Sequence, residues 1–167
     1  MMTSGIGSVI TNKVVNRITG PAGLNAGLAA LTLGGPDAAQ VVDPAQVRAQ
    51  NVAAEMAERS GAVKYPNVNV YCEGLANDLR EKFRSFSGKA EMAIEVRHSQ
   101  DRLEGLEQKL EFYVDGAMQL LNESRGDWGD GMFYGGKYQV SFSPVKQGGK
   151  NFMQIAKITF EIGVSRN

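Results

Sequence analysis

The sequence predicts an α+β domain built on one sheet of about four strands, antiparallel or mixed, with helices over its apolar face and a helical segment ahead of it. Three observations lead there. Runs such as Ala90-Met92-Ile94-Val96-His98 and Ala156-Ile158-Phe160-Ile162-Val164 alternate with polar residues at the period of a half-buried strand. Apolar residues at helical spacing fall between such runs, most clearly from Leu103 to Leu121. From Met1 to Gly61 only helical patterning is visible, so this part reads as a helical segment or arm and residues 62–167 as the α+β domain.

Taken in order, Ile6, Val9, Ile10, Val14 and Ile18 form one helical face, with Ser4 as its N-cap and Gly20-Pro21 as its stop. Leu24, Leu28 and Leu31 continue the pattern, but the intervening glycines make this helix dependent on a neighbour. Asp43-Pro44 is an N-cap followed by proline at the first helical position, opening a helix or an extended arm up to Gly61. Val68, Val70 and Cys72 alternate with asparagines and Tyr71 as a short strand. The next stretch, "EGLANDLREKFRSFSG", sets Leu75, Leu79, Phe83 and Phe86 four or three residues apart, which predicts a helix or a pair of helical turns, with Gly88 as the stop. A strand follows over Ala90 to His98, with Glu91, Glu95, Arg97 and Ser99 on its wet face. Leu103, Leu106, Leu110, Val114, Ala117 or Met118, and Leu121 then mark the strongest helix, with Asp101 and Glu104 as a capping box. Tyr138-Val140-Phe142 and Ala156 to Val164, joined through "SPVKQGGKN", read as a closing hairpin.

Composition narrows the chemistry. Among 167 residues, 18 basic and 18 acidic side chains cancel, which removes the basic footprint of a protein that grips nucleic acid by its phosphates. Residues 1–20 lack the charged start and apolar centre of a signal peptide, and no apolar run approaches a membrane span. One cysteine and one histidine rule out an internal disulfide and a Cys/His zinc site of ordinary spacing. Cys72 and His98 are the one pair that offers a thiol nucleophile and an imidazole base, the basis for a small thiol-dependent enzyme. A free cysteine is more commonly a small buried hydrophobe, and no third orienting group accompanies the pair, so no catalytic, metal or cofactor residue is assigned.

The most unusual stretch is "RGDWGDGMFYGGKY", which holds the single tryptophan between the strongest helix and the closing hairpin. Asp127 and Asp130 lack the ligand spacing of a calcium loop, and the glycines lack the Lys-Ser/Thr of a phosphate loop. Trp128, Phe133 and Tyr134 offer large contact area. Two readings stay open: the aromatics cap the protein's own core, or Trp128 meets a neighbouring subunit. Asp127, Trp128, Asp130, Phe133 and Tyr134, with Lys146 and Lys150 in "VKQGGKN", are the candidate protein-interface residues.

The phenylalanine pair in "KFRSFSG", the helix opening "SQDRLEGLE", the Gly-aromatic loop and "VKQGGKNFMQIAKITFEI" together resemble tail-terminator-like and neck proteins of long-tailed bacteriophages, over residues 64–165. The resemblance implies a structural virion protein, made in the host cytoplasm. It implies a homo-oligomeric ring, usually of six copies, seated on the head-proximal end of the tail tube, where it stops tube polymerisation and meets head-completion proteins. A head-side connector or stopper is the alternative within that class, and passing contact with DNA in the channel is compatible with either. No enzyme activity, cofactor or membrane partner is implied.

Overall fold

Strands from Val47 to Arg166 pair into one sheet whose apolar face is covered by helices. The computed structural model describes residues 5–31, 42–61, 63–148 and 150–167. Among these, α1 (Ile6–Thr19) and α2 (Leu24–Leu31) precede a short 3-10 turn at Pro44–Gln46, then β1 (Val47–Ala49) and α3 (Ala54–Arg59). β2 (Asn67–Asn77), β3 (Phe86–Gln100), α4 (Leu106–Glu123), β4 (Gly126–Gly129), β5 (Met132–Phe142), β6 (Lys146–Gly148) and β7 (Asn151–Arg166) follow. The strand order is β1-β2-β3-β7-β5-β4, with β6 folded onto β7. All neighbours are antiparallel except β1, which runs parallel to β2, so the sheet is mixed.

The α+β class and the closing β5–β7 hairpin agree with the sequence, but the sheet has seven strands where about four are expected. β1, β4 and β6 are three or four residues long, too short for alternation to reveal. The larger correction is the helix expected over residues 73–88. β2 runs on to Asn77, β3 begins at Phe86, and the two pair as a hairpin with one irregularity at Cys72/Gly74, so residues 78–85 are its tip. The backbone ladder satisfies the polar groups that a helix would have satisfied, and the apolar residues at fourfold spacing face solvent instead of a core.

α1 begins at Ile6 and buries Ile10, Val14 and Ile18; Ser4, its expected cap, lies outside the described residues. α4 starts at Leu106, behind a left-handed Gly105 with no side-chain cap, so Asp101 and Glu104 do not form the expected box. The Gln100 side chain instead donates to the carbonyls of Arg102 and Glu104, both at 2.7 Å, holding a non-helical turn in which Leu103 is exposed. α2 lies close against α4 because Gly116 leaves room for it: a Cβ there would stand 2.8 Å from Leu28 Cδ2. Gly7 likewise lets α1 approach β2, where a Cβ would meet that of Cys72 at 3.0 Å.

One hydrophobic core joins Ile10, Val14, Leu24 and Leu28 to Val68, Val70, Ile94, Val114, Ile158 and Ile162. Within the N-terminal helical segment or arm read from the sequence, α1 packs on β1 and β2, α2 packs on α4 and α1, and β1 extends the sheet. Asp43 does cap, accepting from Ala45 N–H at 2.9 Å, but it opens the 3-10 turn that leads into β1. The second face of the sheet is also less wet than alternation predicts. Arg97, expected in solvent, is 3% exposed: it donates to Val52 O at 2.6 Å and to Glu95 Oε2 at 2.7 Å, tying the chain after β1 across that face. Tyr71 Oη donates to the other Glu95 oxygen at 2.6 Å, so the carboxylate is shared between two donors.

Candidate functional site

The strongest functional feature is the end of the sheet where the β2–β3 tip, the β4–β5 turn and the C-terminal residues meet. Polar side chains are turned inward to build this end. Asn77 Oδ1 accepts from the backbone N–H groups of Ser87 at 3.0 Å and Leu79 at 3.3 Å, while its Nδ2 donates to Ser85 O at 3.1 Å. Ser87 Oγ accepts from Glu81 N–H at 3.1 Å, and Ser165 Oγ donates to Glu81 Oε2 at 2.8 Å, fastening the tip to β7. Gly88 is needed beneath it, since a Cβ there would stand 1.9 Å from Ala76 O.

The apolar side chains of the tip are left outside. Phe83 is 99% exposed and Leu79 68%, with Leu75 half exposed below them on β2. Leu79 and Phe83 also hold φ of 51° and 67°, the left-handed region that costs a residue with a side chain about 1 kcal/mol or more. The tip thus spends its polar groups internally and presents bulky apolar ones to water, side chains of the kind that contact surfaces use.

The glycine- and aromatic-rich stretch around Trp128 is part of the same end, and it is a hairpin. Gly129 pairs with Met132, leaving Asp130 and Gly131 as a two-residue turn, both at positive φ (55° and 73°). Gly131 has no alternative, because a Cβ there would lie 1.9 Å from Ser165 O. Asp127 Oδ1 accepts from Gly129 N–H at 2.8 Å, and Asp130 pairs with Lys13 at 3.0 Å. These aspartates thus build a turn. Trp128 is 7% exposed: its Nε1–H donates to Ser124 O at 2.7 Å, capping α4, its ring tilts against Tyr134 at 5.7 Å, and the Arg17 guanidinium lies 4.5 Å above it. Tyr134 is fully buried, and burial pushes its hydroxyl up to about 12. Trp128 and Tyr134 therefore serve the core, and Phe133, 56% exposed, is the aromatic of the stretch that reaches solvent. Lys146 and Lys150 lie elsewhere, exposed on the β6–β7 turn, with Lys146 3.9 Å from Glu55. No protein-family model matches the chain, and no curated protein matches it.

The cysteine and histidine are not brought together. Cys72 pairs with Met92, six residues along β3 from His98, a separation of roughly 20 Å. Burial raises the Cys72 thiol, the opposite of what a nucleophile needs, and its Sγ–H donates to Gly74 O at 3.4 Å. His98 is buried against Tyr113, ring centroids 5.7 Å apart, with Nε2 3.4 Å from Gln100 Oε1; burial lowers its pKa. An open cleft of about 810 Å³ is lined by Glu73, Glu91, Glu161, Arg125 and Lys137. Two of its carboxylates are already paired, Glu73 with Lys157 and Glu161 with Lys89. Among the described residues no group of three or more His, Cys, Asp or Glu side chains is placed to hold a metal ion, and no helix is long and apolar enough to cross a membrane.

The spacing of the tip residues imitates a helical face, so the sequence alone does not reveal the hairpin. The β4–β5 turn had a legible signal in Asp130-Gly131, the dipeptide that most favours a tight hairpin, between residues able to pair.

Proposed function

We infer that this chain is a structural virion protein of a long-tailed bacteriophage, acting as a ring at the head-proximal end of the tail tube that ends tube growth and receives head-completion proteins. The observation that carries the reading is the apolar hairpin tip, Leu79 and Phe83 with Leu75 below them on β2, presented on a polar framework. Such a surface is built for protein contact. The resemblance of residues 64–165 to tail-terminator-like and neck proteins supplies the class, and the balanced charge favours protein partners over a polyanion.

The test is genetic and structural together. A null mutant is expected to give tails of abnormal length or tails unjoined to heads, and Leu79→Ser/Phe83→Ser is expected to reproduce this with the monomer's stability within about 0.5 kcal/mol of the parent, as for exposed sites. Normal virions from the null mutant would sink the reading. Labelling isolated tails separates a terminator, present on the tail, from a head-side connector, which remains with the head.

A further inference from the structure

The two margins of the sheet are stepped, and the steps match. β1 flanks β2 only at Val68–Val70, so among the described residues Gly74–Asn77 has no strand on its outer side. β4 flanks β5 only at Met132–Tyr134, so Tyr138–Phe142 is open in the same sense. Followed across the sheet, the row through Val70 continues to Ile94, Ile158 and Val140, and the row through Leu75 to Ala90, Ile162 and Tyr134. β1 thus stands on the rows where β5 is open, and β4 on the rows where β2 is open. Both halves cross five strands: β1, β2, β3, β7 and β5 in one, β2, β3, β7, β5 and β4 in the other. Between them lie the irregular stretches of both margins, at Cys72/Gly74 in β2 and Tyr134/Tyr138 in β5, where neither offers a ladder.

Equal widths in both halves are the condition for a sheet to repeat onto itself. One copy shifted by five strands, about 24 Å at the usual spacing, sets its β1 step in the recess beside β5 and receives the first copy's β4 step in the recess beside its own β2. Strand directions agree, because β2 and β7 run one way and β3 and β5 the other, so β5 meets the incoming β1 antiparallel. Exposed apolar side chains mark both recesses, Leu75 on β2 and Phe142 on β5, where open edges ordinarily carry charge. Two-fold pairing of either margin with itself also fits the step but leaves the other margin open; the head-to-tail contact covers both with one interface.

We propose that a second copy of this chain docks edge to edge and head to tail, β4 (Gly126–Gly129) of one copy lying along Gly74–Asn77 of the next, so that the sheet continues through the contact. The proposal rests on the reading of the chain as a ring former and names the contact that closes the ring. A heterologous contact of this kind generates a ring with no other interface when the rotation between neighbours closes.

Cysteine pairs test it in full-length protein carrying Cys72→Ala. Asp127 and Ala76 stand on the same row and face, so Asp127→Cys/Ala76→Cys is expected to give, on mild oxidation, a ladder of covalent multimers that either single variant lacks. Ala49→Cys/Val140→Cys provides the same readout in the other half if the first pair loosens the turn. Assembled particles in which neither pair cross-links, or cross-linking that stops at dimers and needs Asp127→Cys with Ser141→Cys, would overturn the contact while leaving the ring reading standing. Protein that stays monomeric under assembly conditions overturns both.

Discussion

Replacing Trp128 separates a core role from an interface role. The indole is 7% exposed, packs on Tyr134, lies under Arg17 and donates to the Ser124 carbonyl at the end of α4. Truncation of a buried aromatic to alanine costs about 3–5 kcal/mol, with the cavity included. For a chain of this size each kcal/mol moves Tm by about 2–4 °C, so Trp128→Ala is expected to melt about 6–20 °C below the parent. Trp128→Phe keeps most of the ring and loses the hydrogen bond, worth about 1 kcal/mol, so its drop is expected to be about 2–4 °C. Thermal unfolding followed by circular dichroism at dilutions where both proteins are monomeric gives the comparison. A Trp128→Ala protein that melts within about 2 °C of the parent yet fails to assemble would refute the placement of this side chain in the core.

Three further outcomes follow from named contacts. Burial depresses His98, so below its unfolded pKa of about 6.5 the unfolded chain binds the proton that the folded chain resists. Stability from this site is complete above about 6.5 and is lost as pH falls toward the folded value, and urea titrations between neutral and acid pH should show His98→Phe with a shallower acid loss than the parent. Arg97→Met removes the buried partner of Glu95 and Val52 O; about 3 kcal/mol of lost stability is expected in the same titrations, at the low end for a broken buried pair because Tyr71 still donates to Glu95. Gly131→Ala meets both a φ of 73° and the Ser165 carbonyl, so a loss of at least about 1–2 kcal/mol is expected, whereas Gly5→Ala, with open space around it, should lose only the N-cap preference for glycine, about 0.5 kcal/mol.

The parts of the fold legible in the sequence are those where periodicity and burial coincide. β3 and β7 alternate because one face meets helices along most of their length, and α1 and α4 show their buried stripes for the same reason. β1 was not legible: three residues that join the sheet through parallel pairing with β2 carry no local signature. The β2–β3 tip misled for a physical reason. Leu75, Leu79, Phe83 and Phe86 recur as a helix face would, but that pattern implies a helix only if the apolar residues are buried in the monomer, and here Leu79 and Phe83 are held outward in left-handed backbone. The aromatic stretch split in a way that spacing alone could not decide, Trp128 and Tyr134 going inward and Phe133 outward along one hairpin, because a strand sends successive side chains to opposite faces.

The most direct test of self-assembly through matched sheet margins is the mass and image of the purified full-length protein under assembly conditions, alone and with Leu75→Glu/Phe142→Glu. Closed rings of a single mass are expected for the parent, and monomers of unchanged stability for the double variant. A parent that stays monomeric at every concentration and salt tested, or a double variant that forms the same rings, would contradict assembly through the sheet margins.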